Sequence, residues 1–339
     1  SQDRTYYYEV FPSNQLETGL WLESERLMHP VINEDGVSTQ NEVVKEEKRF
    51  RIDNQPYGNL ISSVFEKLFI KHPYRWPIIG SMKDLDGTKL PDFLAFNKKY
   101  YAPNNAVLVV AGDIDPVKTK KLVEAYFGPI PKGPAIERVS FTEDPITKEI
   151  VDTAYDANIQ IPAIIAAYRT PGMKARDAVA LDMASQILSG GASSRMYKKM
   201  VDQKKNALQV AAFNYTLEDY GAYLTFALPN GNQSLDGLLA DMDEEVVKLQ
   251  SALISEAEFT KLQNQAENDF VSGNNTMMGI AQSLANGFTF HGNTNYLNTE
   301  LDFIKSITRQ DIQDVAKKYL NKNQRVVIYY LPEKKEAAQ

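Results

Sequence analysis

The strongest constraint on this chain is that it repeats itself. Lys98-Lys99-Tyr100, followed by Asn104 and Val107, recurs as Lys317-Lys318-Tyr319, followed by Asn323 and Val326, at an offset of 219 residues (317 − 98). The same offset pairs Phe69 and His72 with Phe288 and His291, and Leu16 with Leu235, while Pro12 pairs with Pro229 to within two residues. Two copies of one unit predict two like halves. The breaker-rich stretch Gly128-Pro129-Ile130-Pro131-Lys132-Gly133-Pro134 separates them, which gives a first half over 1–135, a linker over 136–147 and a second half over 148–339. A second copy beginning near 140 puts the start of a complete first copy near −79 (140 − 219). The register therefore implies a truncated first copy, with roughly 80 residues of a longer parent ahead of Ser1.

Within the copies, strand and helix patterns alternate. Thr5–Val10 is rich in strand formers, and Pro12-Ser13-Asn14 opens a helix carrying Leu16, Leu20 and Leu27. Thr39-x-x-Glu42 has the form of a capping box for a helix running to about Phe50. A helix over Phe93–Tyr100 leads into the apolar strand Ala106–Ala111, and the helix Val117–Tyr126 closes the copy. The second half adds a strand at Ile161–Tyr168, a helix at Ala175–Leu188 ended by Gly190-Gly191, a strand at Gly221–Leu228 and a helix at Ser234–Gln250. Ser255-x-x-Glu258 caps another helix. The pattern predicts an α+β fold with a mixed sheet covered by helices in each half, the first half incomplete.

Composition removes several function classes. The formal net charge is −7 and the pI about 5.2, the wrong sign for a phosphate-backbone binder. No uncharged apolar run reaches the roughly 18 residues of a membrane span. With no Cys, thiol nucleophiles, Cys zinc sites and disulfides are all excluded. Of the three histidines, His72 and His291 occupy matched positions, which suits a repeated structural task, and His29 sits beside Pro30 in a loop.

One carboxylate stands out. Helical spacing places Gln40, Val43, Val44 and Phe50 on the same stripe as Glu47, whereas Glu46 falls beside Glu42 and Arg49. A carboxylate on an apolar face needs a partner or a cation, so Glu47 is either a structural ion pair with Arg49 or Arg51 or a functional group. Its repeat position is Ala266 (47 + 219), so the second copy dispenses with the acid.

The segments Thr39–Arg49, Asn54-Gln55-Pro56-Tyr57-Gly58, His72–Leu85 and Tyr100–Pro131 resemble the insulinase/pitrilysin family of zinc peptidases, in its bacterial, mitochondrial-processing-peptidase-like branch. Tyr168-Arg169-Thr170-Pro171 and Ser189–Val201 resemble that family's C-terminal repeat. The resemblance implies two homologous halves closing like a clamshell on an unfolded peptide, which adds as a strand to an exposed sheet edge in the first half. It also implies an H-x-x-E-H zinc motif completed by a downstream Glu, with zinc polarising the scissile carbonyl and activating water. Alignment puts the downstream ligand at Glu47 and a possible outer-shell partner at Gln40.

No H-x-x-E-H occurs here; the repeat register places it upstream of Ser1. This chain is accordingly expected to contain no catalytic residue, to bind no zinc by itself and to be inactive alone, zinc belonging to the full-length parent. An Arg and a Tyr seven apart that bind substrate in many relatives are replaced by Val201 and Leu208, which leaves the substrate-binding residues unknown. Gly190-Gly191 follows a helix and lacks a P-loop's Lys-Ser/Thr ending, so it reads as a helix cap. The partners expected are a peptide or unfolded protein substrate, or a homologous subunit if the chain is a non-catalytic member of a two-chain peptidase. The bacterial character of the match suggests an extracytoplasmic, periplasmic setting.

Overall fold

A computed structural model describes residues 1–333. The first part is helical: α1 (Leu16–Met28), α2 (Glu34–Lys48), α3 (Leu60–Leu68), α4 (Met82–Gly87), α5 (Leu90–Tyr100) and α6 (Pro116–Phe127). The second part holds β1 (Ile150–Asp156), β2 (Ala163–Pro171), α7 (Arg176–Ser189), β3 (Ala207–Thr216), β4 (Tyr220–Pro229), α8 (Leu235–Ser251), α9 (Glu256–Gly273), α10 (Met277–His291), α11 (Tyr296–Lys305), α12 (Arg309–Tyr319) and β5 (Arg325–Pro332). The five strands form one sheet in the order β1-β5-β2-β4-β3, with β1 parallel to β5 and every other pair antiparallel. This is the mixed, helix-covered α+β architecture that the sequence predicts.

The central strand shows why. In β2, Ile164, Ala166 and Tyr168 point into the core built with α7, α8 and α12, while Ala163, Ile165 and Ala167 point to the opposite face. All six are at most 1% exposed, so an uninterrupted apolar run is what a strand buried on both sides requires. The helix covering the opposite face is α3, from the first part of the chain. Its Val64, Phe65 and Leu68, with Phe69, pack on Ala163, Ile165, Ala167, Ala222, Leu224, Val326 and Ile328. Val64, Leu68 and Phe69 are fully buried, each contributing about 1.5–3 kcal/mol relative to exposure.

Polar contacts fix the end of α3. Arg169 donates from Nε and Nη2 to the Leu68 carbonyl and from Nη1 to the Asp144 carbonyl at 2.7 Å, serving acceptors that a helix end leaves unpaired. Glu143 Oε1 accepts the N–H groups of Ile70 at 2.9 Å and of Lys71 and His72 at 2.7 Å, and its Oε2 lies 3.3 Å from Arg169. Nδ1 of buried His72 accepts the Tyr74 N–H at 3.2 Å, so Nε2 carries the proton and faces Asp219 at 3.2 Å. Tyr74 in turn donates to Asp3 at 2.5 Å.

The offset of 219 also relates element boundaries. At the offset of 219, α5 coincides with α12 from first residue to last, the 3-10 turn Pro103–Asn105 coincides with Lys322–Gln324, and α1 begins where α8 begins. The expected strands Thr5–Val10 and Ala106–Ala111 are the counterparts of β4 and β5, but neither forms a ladder. The physical reason is topological. β4 and β5 do not touch each other; both pair with β2 between them, and no described strand lies between residues 5–10 and 106–111. A segment of strand formers without a partner to pair with is not a strand.

A second correction concerns α2. It starts at Glu34, with Asn33 accepting the Gly36 N–H at 2.8 Å, so Thr39 and Glu42 lie in its interior. Asn33 is a strong N-cap followed by two acids in the first turn, which outcompetes the later signal. The Ser255/Glu258 box does form, with Glu258 N 3.2 Å from Ser255 Oγ and Ser255 N 2.9 Å from Glu258 Oε2.

Burial alone pushes the Glu143 carboxyl up, but the N–H groups of His72, Lys71 and Ile70 and the Arg169 guanidinium outweigh it and hold it below the usual carboxylate range. A carboxylate depressed in the folded state stabilises above its unfolded pKa, and that stabilisation is lost as pH falls through the folded value. Thermal melts from about pH 7 to about pH 3 should therefore show a loss of stability on the acid side that is shallower in Glu143→Gln than in the parent chain. Identical acid limbs would remove Glu143 from the account.

Candidate functional site

Glu47 lies in the last turn of α2, and the next residues, Arg49–Asp53, form a π turn. Such turns widen the helix by one residue and commonly lie next to functional positions. Lys48 spans this one, 2.5 Å from Asp53. The chain then tightens into a knot: Gln55 N donates to Ile52 O at 3.1 Å, and Gln55 Nε2 donates to Phe50 O at 2.8 Å. A Cβ on Gly58 would fall 2.0 Å from Ile52 O, so only glycine fits there. Tyr57 takes φ +61°, uncommon for a residue with a side chain.

That strained position is held from the second half. The Tyr57 N–H donates to Asp156 Oδ2 at 3.0 Å, and its hydroxyl donates to Ile161 O at 2.7 Å. Asp156 also accepts the Tyr330 hydroxyl at 3.0 Å and the Asn158 N–H at 2.7 Å, while Asn158 Nδ2 reaches back to Asp53 O at 2.8 Å. The Asn54–Gly58 motif is thus a joint that fastens the end of the Glu47 helix to the ends of β1 and β5.

The environment of Glu47 differs from the buried stripe that its spacing suggests. Its side chain is 42% exposed and pairs with Arg51 at 3.2 Å, while Val43 is 51% and Phe50 68% exposed. The stripe of Val43, Glu47 and Phe50 is therefore not a buried face: α4 meets α2 elsewhere, through Lys45 and Asp86 at 2.6 Å, and only Val37 is buried in this helix. The neighbouring acids are surface groups, Glu46 pairing with Arg49 at 3.1 Å and Glu42 with Lys45 at 2.6 Å. Gln40 is exposed two turns before Glu47.

These residues do not fit a zinc ion by themselves. Catalytic zinc takes three protein ligands and a water, and Glu47 offers one carboxylate already facing a guanidinium. Among the described residues no group of three or more His, Cys, Asp and Glu is arranged to hold a metal. His72 is a buried structural group, His291 stacks on Tyr296 with ring centroids 3.8 Å apart, and His29 faces Glu25 at the end of α1. The two matched histidines therefore do different work: the first caps a turn and the second packs on a ring. Val201 packs against the core beside α7, Leu208 is exposed on β3, and Gly190 caps α7, followed by Gly191 at φ +84°.

Sequence reasoning alone misses the residues that connect the halves. Tyr57 and Arg169 fall inside recognised segments, but their contacts cannot be read there. Glu143 and Asp156 carry no motif, since their roles depend on residues about 70 and 100 positions earlier in the chain.

Residues 89–266, 178 of the 339 and so more than half, match the family described as Peptidase M16 inactive domain. "Zinc protease PqqE" of Helicobacter pylori is 29% identical over 337 residues, spanning 98% of this chain and 75% of that protein. The crystal structure of a protease from Helicobacter pylori superposes with a TM-score of 0.86 at 26% identity, covering 94% of this chain and 78% of that one. A peptidase M16 inactive domain from Pseudomonas fluorescens shares the fold, with a TM-score of 0.81 at 16% identity over 96% of this chain and 77% of that one. With more than half of its residues matched, the chain belongs to the peptidase M16 inactive-domain family.

Proposed function

We propose that this chain is the larger part of a zinc-dependent endopeptidase that hydrolyses peptides or unfolded segments, and that it is inactive without the parent's upstream segment. The observation that carries this reading is likeness along 98% of the chain to a protein named as a zinc protease. Glu47 supplies one ligand in this proposal, on a helix end held by the Tyr57–Asp156 joint, and Gln40 is its outer-shell partner. Residues 5–10 and 106–111, rich in strand formers and without ladder partners, support strand addition as the mode of peptide binding.

The alternative is a non-catalytic partner or scaffold subunit of a two-chain peptidase. The match to an inactive domain and the Val201 and Leu208 replacements favour it. An intact H-x-x-E-H in the parent's upstream sequence supports the enzyme, and a broken one supports the partner.

Because Glu47 forms only an exposed pair, Glu47→Gln in the 339-residue chain should change the unfolding free energy by less than about 1 kcal/mol in urea titration. A loss several times larger would make Glu47 a structural residue. In protein from the full reading frame the same substitution should lower zinc content measured by elemental analysis. Unchanged zinc stoichiometry contradicts the ligand assignment.

A further inference from the structure

Residues 56–76 belong to the first half by chain order and to the second by contact. Tyr57 is bonded to Asp156 and Ile161, and its ring lies 6.0 Å from that of Tyr330. α3 and Phe69 form one core with β2, β4 and β5. Glu143 and Arg169 hold the turn from Leu68 to His72, and Tyr74 accepts the Asp219 N–H at 3.2 Å. The repeat shows that this is an exchange between halves. At the offset of 219, α3 maps onto 279–287 within α10, which takes no part in the core on the α3 face of the sheet; instead its Asn286 accepts a hydrogen bond from Arg4 of the first half.

The flanks of 56–76 carry exposed side chains, and up to Asp53, whose carbonyl accepts from Asn158, the π turn is bonded within its own segment. On one side is the π turn Arg49–Asp53, with Phe50 exposed; on the other are Trp76, 62% exposed, and the turn to Gly80 at φ +80°. The chain just before the linker is tied to the first half by Asn104, which accepts the Gly133 N–H at 2.8 Å, and the linker itself is tied to the second half where the Tyr220 hydroxyl bonds Phe141 and Glu143. We infer that 56–76 moves and unfolds with the second half, so that the hinge between halves passes through the π turn directly behind Glu47 and through Trp76–Gly80 as well as through the linker. Any rotation of the second half then acts on the end of the Glu47 helix through the Tyr57–Asp156 joint. This inference does not rest on the metal reading.

Native-state hydrogen exchange by mass spectrometry on the 339-residue chain, in urea below the unfolding transition, tests it. Amides of 60–69 should keep protection within about tenfold of those in β2 and β4 and lose it at the same urea concentration, after α1, α2 and α5 have opened. Phe69→Ala should accelerate exchange in 60–69, β2 and β4 together and leave α1 and α2 unchanged. Opening of 60–69 with α1, α2 and α5, or one common opening for the whole chain, would overturn the inference. The measurement on the unsubstituted chain decides this even if Phe69→Ala fails to fold.

Discussion

The sheet of this protein has two apolar faces, and the structure depends on how the second one is covered. Helices α7, α8 and α12, which follow the early strands in sequence, bury one face. The other would present Ala163, Ile165, Ala167, Leu224, Val326 and Ile328 to water if α3 did not lie on it. Burial there is non-directional, so Arg169 and Glu143 supply the direction, each bonding backbone groups at the end of α3. The joint at Tyr57 follows from the same constraint: a chain arriving at α3 must turn sharply beside the ends of β1 and β5, and Asp156 holds that turn.

This arrangement gives the position of Glu47 a physical origin. Its helix runs through the π turn into a knot built on the second half, although the residue belongs to the first. The pair with Arg51 is exposed and contributes little to folding, which leaves the carboxylate available for another partner at small cost. The second copy has Ala266 at the matching place, so a role confined to the first copy agrees with the asymmetry between the halves.

Much of the fold is legible in the residues, for stated reasons. The strand expected at Ile161–Tyr168 forms at Ala163–Pro171, its apolar run buried on both faces, and the Ser255/Glu258 box marks a helix start because each side chain serves the other's backbone. The offset of 219 carries α5 onto α12 residue for residue, although the pattern starts the first of them at Phe93 and the helix at Leu90. What is not legible depends on a partner. Thr5–Val10 and Ala106–Ala111 have strand composition, yet a ladder needs a neighbour that local sequence cannot supply. The spacing of Val43, Glu47 and Phe50 defines a face of α2, but whether that face is buried depends on what lies against it. Glu143 and Asp156 are ordinary acids until α3 and Tyr57 arrive from far back in the chain.

The central functional claim is that this chain is the larger part of a zinc endopeptidase and does not act alone. The most direct measurement is cleavage of a quenched, unstructured peptide by protein from the full reading frame and by the 339-residue chain, each with and without chelator. The account predicts chelator-sensitive cleavage by the first and none by the second. Absence of cleavage by both, or chelator-insensitive cleavage by the 339-residue chain, would contradict it.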